Sequence, residues 1–166
     1  MISEWEKHTL LADTALQLDD PVRSILHYQQ ALSLSEDISE CVEIEADERL
    51  LISVISCHNL AQFWRWAGDT DYELKYLQLA SEKVLTLIPQ CPNKECASFI
   101  DSIGCCTKAL IDFMKRHPNP AIAKQVEKNR YRNQLRSHCQ IPLKLTFKLY
   151  SRNHRKVLGK IPLKYY

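Results

Sequence analysis

Apolar residues recur at helical spacing through the middle of the chain. One run comprises Ala46, Leu50, Val54, Cys57, Ala61 and Trp64. A second run comprises Tyr72, Tyr76, Ala80, Val84 and Leu87. Steps of three or four residues place each run on one face of an α-helix. Between the runs, Gly68 is suited to the left-handed conformation that commonly ends a helix, and the Asp69 carboxylate can cap the next helix. The pattern predicts two antiparallel helices joined by a tight turn, with Trp64 on the buried face.

Comparable patterns flank this central pair. Residues 3–18 predict a first helix, and Asp20-Pro21 predicts the start of a second helix that runs to about Ser35. A fifth helix is predicted from about Cys96 to the prolines at 118 and 120, and a sixth helix from there to about His138. We therefore expect an all-α domain over residues 1–139, with about six helices arranged as three antiparallel pairs.

The central turn resembles the tetratricopeptide repeat. The matching positions are Leu60, Ala61, Trp64, Gly68, Leu77 and Ala80. Ala61 replaces the usual glycine, and Glu73 stands where a small residue is expected. A weaker match comprises Leu11, Ala12, Ala15, Ser24, Tyr28 and Ala31, and a third begins at Ile103-Gly104. The first two matches lie 49 residues apart, whereas the family repeats every ~34 residues. The chain as a whole also resembles a small bacterial family of this helical type, a likeness that implies no function.

The resemblance implies a non-enzymatic protein-interaction module. In tetratricopeptide proteins the first helix of each pair lines a concave groove that holds an extended peptide or a partner helix. Position by position, the likeness places Thr9, Asp13, His58, Asn59, Gln62 and Arg65 at this groove. An ordinary solvated helix face is the alternative for the last four residues. Asn59 and Arg65 alone do not reproduce the carboxylate clamp found in some members of that family.

A strongly acidic run separates the second and third predicted helices. Residues 36–48 contain seven acids and no Lys or Arg. We expect these acids to lie near the start of the third helix, where the helix dipole favours each negative charge by about 0.3–1 kcal/mol. An acidic docking surface is the alternative interpretation.

The C-terminal segment differs from the helices in pattern. From Leu143 to Tyr150 apolar and polar residues alternate, which is typical of a strand, and "SRNH" is a plausible turn before a second extended piece. We expect residues 140–166 to form an extended basic tail or a short β-hairpin. Its basic side chains are Lys144, Lys148, Arg152, Arg155, Lys156, Lys160 and Lys164.

Charge is distributed unevenly along the chain. The formal net charge is +2, but residues 1–127 sum to −9 and residues 128–166 to +11. Basic segments often bind nucleic acid or anionic surfaces, so binding of either through residues 128–166 is the alternative function. The segment has two other candidate partners: the acidic helices of its own chain and the acidic face of a second copy in a homo-oligomer.

The chain lacks recognisable catalytic or metal-binding motifs. Of its seven cysteines, only Cys91 and Cys96 approach metal-ligand spacing, whereas structural zinc sites usually contain two close pairs. Cys57 and His58 are neighbours on a helix, so their side chains diverge. H-E-x-x-H, G-x-S-x-G and phosphate-loop motifs are absent. We expect no metal, no cofactor and no enzymatic activity.

The sequence also bears on cellular location. The start "MISEWEKHTLL" is acidic and amphipathic, unlike a signal peptide, which is basic and then apolar. The longest apolar run, Leu50–Ile55, is too short to span a bilayer. We expect a cytoplasmic protein.

Overall fold

The computed structural model describes residues 1–87, 97–118, 123–124 and 127. Within these ranges the chain forms five α-helices and no strand. The helices are α1 (Ile2–Gln17), α2 (Pro21–Glu40), α3 (Ala46–Ala67), α4 (Thr70–Leu87) and α5 (Ala97–Arg116). The all-α prediction is confirmed for this part of the chain.

Three of the predicted features lie outside the described residues. Of the predicted sixth helix, only residues 123, 124 and 127 are described, and they are helical. The predicted tail over 140–166, with its seven basic residues, and the boundary at residue 139 are not among the residues described.

Both predicted tight turns are present. Gly68 ends α3 in the left-handed conformation with φ 80°, and Asp69 Oδ1 accepts a hydrogen bond from the Tyr72 N–H at 3.0 Å. At the other turn, Asp20 Oδ1 accepts the Arg23 N–H at 3.0 Å and Pro21 occupies the first helical turn. Across these short connections α1 packs against α2, and α3 packs against α4.

The second helix is longer than its sequence pattern predicts. It ends at Glu40 instead of Ser35, because Ile38 extends the apolar face and is fully buried. Consequently Glu36, Asp37 and Glu40 lie in the last turns of α2, whereas the acids in the first turn of α3 are Asp47 and Glu48. The prediction that the acidic run lies near the start of the third helix is therefore wrong for the three acids in α2, where the helix dipole disfavours negative charge.

Two basic side chains offset this unfavourable placement. Arg49 Nη1 donates a hydrogen bond to the backbone oxygen of Ser39 at 3.1 Å, which satisfies a carbonyl in the last turn of α2. Lys83 Nζ lies 3.1 Å from Glu36 Oε1 and so joins α4 to α2. The end of α2 is held by contacts with α3 and α4 that no local sequence pattern predicts.

Helix α3 contacts both α1 and α5, and α2 contacts α4. Trp5 Nε1 of α1 donates a hydrogen bond to Ser56 Oγ of α3 at 2.8 Å, and His58 Nε2 of α3 lies 3.7 Å from Cys106 Sγ of α5. The Lys83–Glu36 pair links α4 and α2. Helix α3 also packs against α2 and α4, so it is enclosed by all four of the other described helices.

The main core joins side chains from all five helices. Its buried members are Ala12, Tyr28, Leu60, Ala61, Phe63, Tyr76, Leu77, Leu110 and Phe113. Trp64 was predicted to be buried, but it is only partly buried, whereas the adjacent Phe63 is 4% exposed. The Trp64 ring stacks on that of Tyr72, with the ring centroids 4.6 Å apart. The other central members of the predicted apolar run, Leu50, Val54, Cys57 and Ala61, are buried. No helix in the described ranges is long and apolar enough to cross a membrane.

Candidate functional site

Between residues 49 and 63, α3 is open along only one strip of its surface. Half of the 22 residues of α3 are buried, on several sides of the helix. Steps of four, three, four and three residues nevertheless connect a row of side chains that are partly or fully exposed. This row is Leu51, Ile55, His58, Gln62 and Arg65, hereafter the α3 stripe.

The α3 stripe contains three of the six residues placed at the groove by the sequence. His58 is partly exposed, and Gln62 and Arg65 are exposed. Asn59 is 7% exposed and Thr9 is 3% exposed, so neither presents a surface to a partner. The Thr9 hydroxyl instead donates a hydrogen bond to the backbone oxygen of Trp5 at 3.0 Å.

Asp13 of α1 is held inward by a hydroxyl from α2. The Tyr28 hydroxyl donates a hydrogen bond to Asp13 Oδ1, whereas Asp13 Oδ2 is buried and has no hydrogen-bond partner in the described structure. Burial raises the pKa of the Asp13 carboxyl, although the bond from Tyr28 opposes this effect. Asp13 therefore contributes to the junction of α1 and α2 more than to an open surface.

His58 is the chemically distinctive member of the stripe. Burial lowers the pKa of its imidazole to about 4, so the ring is neutral at neutral pH. Its neighbour Cys106 has a pKa well above 9, again because of burial, and burial raises the pKa of Cys57 to about 12. Because a thiolate is the nucleophilic form of cysteine, these buried thiols are poor nucleophiles at neutral pH. The His58–Cys106 contact therefore favours packing and hydrogen bonding over covalent chemistry.

Near Arg65, the end of the α3 stripe lies beside a buried ion pair. Glu73 of α4 is 4% exposed, and its carboxylate forms an ion pair with Arg116 of α5. Burial raises the Glu73 pKa, and the positive charges of Arg116, Arg65 and His117 oppose that rise. The buried Glu73 carboxylate thus lies within reach of the charges of both Arg116 and Arg65.

The sequence patterns did not predict two residues that contact this site. Cys106 and Arg116 lie 48 and 43 residues from their partners His58 and Glu73. No spacing rule within one helix can connect residues on different helices. The unusual Glu73, which replaces a small residue of the tetratricopeptide pattern, was the one local sign of a buried charge pair.

The described part of the chain contains no candidate metal site with a full set of protein ligands. No group of three or more His, Cys, Asp or Glu side chains within it could hold a metal ion. Cys91 and Cys96 lie outside this part, as do Cys139 and His138.

Comparison with known proteins assigns a family. Residues 3–148 match the model of a family described as a protein of unknown function, DUF2753. The chain belongs to the DUF2753 family. An uncharacterised protein of Vibrio parahaemolyticus, VP2110, is 98% identical over 128 residues, which cover 77% of this chain and 89% of that relative. The bacterial character of the predicted family is thereby confirmed. No solved structure matches the DUF2753 chain.

Proposed function

We propose that this DUF2753 protein is a non-enzymatic, cytoplasmic protein-interaction module that binds an extended peptide or a partner helix along the α3 stripe. The observation that carries the proposal is that, between residues 49 and 63 of α3, only members of this stripe are partly or fully exposed. Leu51 and Ile55 therefore add apolar surface to a strip that also contains polar groups.

The composition of the stripe suits a mixed apolar and polar partner. Leu51 and Ile55 provide apolar contact at one end. The neutral His58 ring and the Gln62 amide provide hydrogen-bonding groups in the middle, and the exposed Arg65 guanidinium favours an acidic group at the other end. An apolar anchor with a few directional polar groups is typical of peptide-binding surfaces.

The helix contacts support an arrangement like that of tetratricopeptide proteins. We propose that α1 with α2 and α3 with α4 form two consecutive repeats, and that α5 begins a third. The contacts from Trp5 to Ser56 and from His58 to Cys106 would then join the first helices of successive repeats. The α3 stripe would lie at the centre of the surface that such helices share.

Selection from a peptide library would test the proposal. The intact, nuclease-treated protein is used to select binding peptides, and amide hydrogen exchange then maps the surface that the selected peptide protects. We expect slower exchange in segments of α3 from Ile55 to Arg65. Protection confined to α2 and α4, or failure to select any peptide, would contradict the proposal.

Nucleic-acid binding is the second candidate, and the charge distribution favours it. Residues 128–166 contain eleven Lys and Arg residues and no acid, whereas residues 1–127 have a formal charge of −9. A nucleic acid would therefore bind residues 128–166 and not the described helices. Binding by phosphate neutralisation weakens steeply with salt, so titration of a generic duplex at two salt concentrations distinguishes this candidate from peptide binding.

A further inference from the structure

Two histidines face each other between the first two helices. His8 of α1 and His27 of α2 are both partly exposed, and their Nδ1 atoms lie 3.0 Å apart. The ring centroids are 5.2 Å apart, so the two nitrogens lie between the rings and point towards each other. A hydrogen bond between them requires one Nδ1 to carry a proton and the other to offer its lone pair. These two residues are hereafter the histidine pair.

The separation of the two nitrogens matches that of two ligands on one metal ion. Imidazole nitrogens bind Zn²⁺ at about 2.0–2.1 Å, so two of them lie about 2.9 Å apart at a right angle and about 3.3 Å apart at the tetrahedral angle. The observed distance of 3.0 Å lies between these values. Both rings can therefore bind one cation once the proton that they share has moved from Nδ1 to the Nε2 atom of the same ring.

The basic side chains nearest to the histidine pair along each helix have acidic partners. On α1, Lys7 Nζ lies 3.3 Å from Glu4 Oε2. On α2, Arg23 is one helical turn before the histidine, and its Nε lies 2.7 Å from Asp20 Oδ2. These ion pairs offset the positive charges that would otherwise repel a cation.

The donor atoms of the histidine pair indicate which class of cation would bind. Imidazole suits Zn²⁺, Cu²⁺ and Ni²⁺, whereas Mg²⁺ and Ca²⁺ prefer oxygen ligands. The described residues provide no third His, Cys, Asp or Glu for this site, so water or a donor from another molecule would complete the coordination. The expectation of no metal came from spacing along the sequence, and spacing does not reveal two histidines that are 19 residues apart.

We propose that His8 and His27 together chelate a divalent transition-metal ion and so link α1 to α2. A cation that binds both rings in the folded chain stabilises the first helical hairpin, because the unfolded chain does not hold the two rings together. This inference goes beyond peptide binding by the α3 stripe and does not depend on it, because the histidine pair lies on other helices.

Titration of the intact, reduced protein with Zn²⁺ tests the proposal without any change to the fold. Nuclear magnetic resonance of the histidine ring nitrogens follows each imidazole separately, and variants at positions 8 and 27 assign the signals. We expect the Nδ1 signals of His8 and His27 to change together, over the same range of Zn²⁺ concentration. The proposal is overturned if only one of the rings responds, or if the two rings respond at different concentrations. It is also overturned if Zn²⁺ binds only elsewhere, such as at cysteine thiols, and leaves both rings unchanged.

Matched variants test whether the two rings act as one chelate. We expect His8→Gln and His27→Gln each to weaken Zn²⁺ binding at this site at least about tenfold, since loss of a group that merely supports a ligand already has an effect of that size. The double variant should bind no more weakly than either single variant, because one imidazole alone cannot chelate. His117→Gln is the control, since it removes an exposed histidine of the same type and should keep the wild-type affinity. Circular dichroism verifies that each variant retains its helices, and wild-type affinity in either folded single variant would overturn the proposal.

Discussion

Glu73 and Arg116 join α4 to α5 through an ion pair in which the carboxylate is almost completely buried. The Glu73 side chain is 5% exposed and the Arg116 side chain is 31% exposed. Burial of a carboxylate is unfavourable unless a cation or hydrogen-bond donors compensate for the lost water. Arg116 provides this compensation from the last turn of α5, so the pair fixes where α5 ends relative to α4.

Removal of Arg116 should destabilise the fold more than removal of its neighbour. We expect Arg116→Met to lower the free energy of unfolding at neutral pH by about 1–3 kcal/mol, because it leaves a buried carboxylate without its main partner. Lys115→Met is the matched control, since Lys115 is 72% exposed and pairs with Asp112 at the surface. Urea denaturation of the three proteins measures the difference.

The pH dependence of that loss separates a charge effect from lost packing. Without Arg116 the pKa of Glu73, already raised by burial, should rise further. Lowering the pH then protonates Glu73 and removes the buried charge, so the gap between Arg116→Met and the wild type should narrow in acid. A gap that is constant with pH would show that Arg116 acts through packing alone.

The two adjacent aromatic residues of α3 should differ in their contributions to stability. Phe63 is 4% exposed and lies in the main core, so Phe63→Ala should cost about 3–5 kcal/mol. Trp64 is partly exposed, and Trp64→Ala should cost less, about 1–3 kcal/mol. Denaturation midpoints would decide the order, and a larger loss for Trp64→Ala would contradict this difference in burial.

Two buried serines of α3 provide a matched test of the junction with α1. Ser56 Oγ accepts the Trp5 indole N–H, whereas Ser53 Oγ is buried without a hydrogen-bond partner in the described structure. Ser56→Ala leaves the indole N–H unsatisfied and should cost about 1–3 kcal/mol, while Ser53→Ala should be neutral or stabilising. Equal losses in thermal or urea unfolding would argue against the Trp5–Ser56 bond.

Burial of His58 should make the fold sensitive to mild acid. The pKa of His58 is about 4 in the folded chain and 6.5 in its ordinary state. Between these values the unfolded chain binds a proton that the folded chain does not, so the free energy of unfolding falls as the pH falls. The full effect is at most about 3 kcal/mol.

Replacement of His58 should remove part of this acid sensitivity. We expect His58→Gln to lose less stability than the wild type when the pH is lowered from 7 to 4.5. This interval spans the pH at which an ordinary histidine gains its proton. Gln62→Ala is the control, because it changes an exposed, uncharged side chain on the same face of α3 and should leave the wild-type pH profile unchanged. Identical profiles for His58→Gln and the wild type would contradict the burial of a neutral imidazole.

Local features of the fold could be predicted from sequence, but the contacts between helices could not. Gly68, Asp69 and Asp20 mark both turns because capping depends on a few consecutive residues. The sequence pattern places the end of α2 too early. The acids that follow Ser35 suggest the start of a new helix, whereas the burial of Ile38 extends α2 to Glu40. The great length of α2 and α3, at 20 and 22 residues, also accounts for the wide spacing of the two repeat-like matches.

The candidate site was predictable only along a single helix. His58, Gln62 and Arg65 share one face of α3 because their spacing follows the helical period. The burial of Asn59 depends on the packing of neighbouring helices, and the burial of Thr9 does too. The neutral state of His58 likewise depends on burial in the fold. Its neighbour there, Cys106 of α5, is 48 residues away in the sequence.

The central claim is that the α3 stripe is a binding surface, and equilibrium binding of a selected peptide to matched variants tests it most directly. Gln62→Ala and Arg65→Ala change exposed stripe residues, and Gln30→Ala and Arg23→Ala change the same residue types at exposed positions of α2. We predict that each stripe variant weakens peptide binding about tenfold, equivalent to about 1.4 kcal/mol, while circular dichroism verifies that its helices are retained. The α2 variants should bind like the wild type. Wild-type affinity in both stripe variants, or a comparable loss in the α2 variants, would contradict the claim.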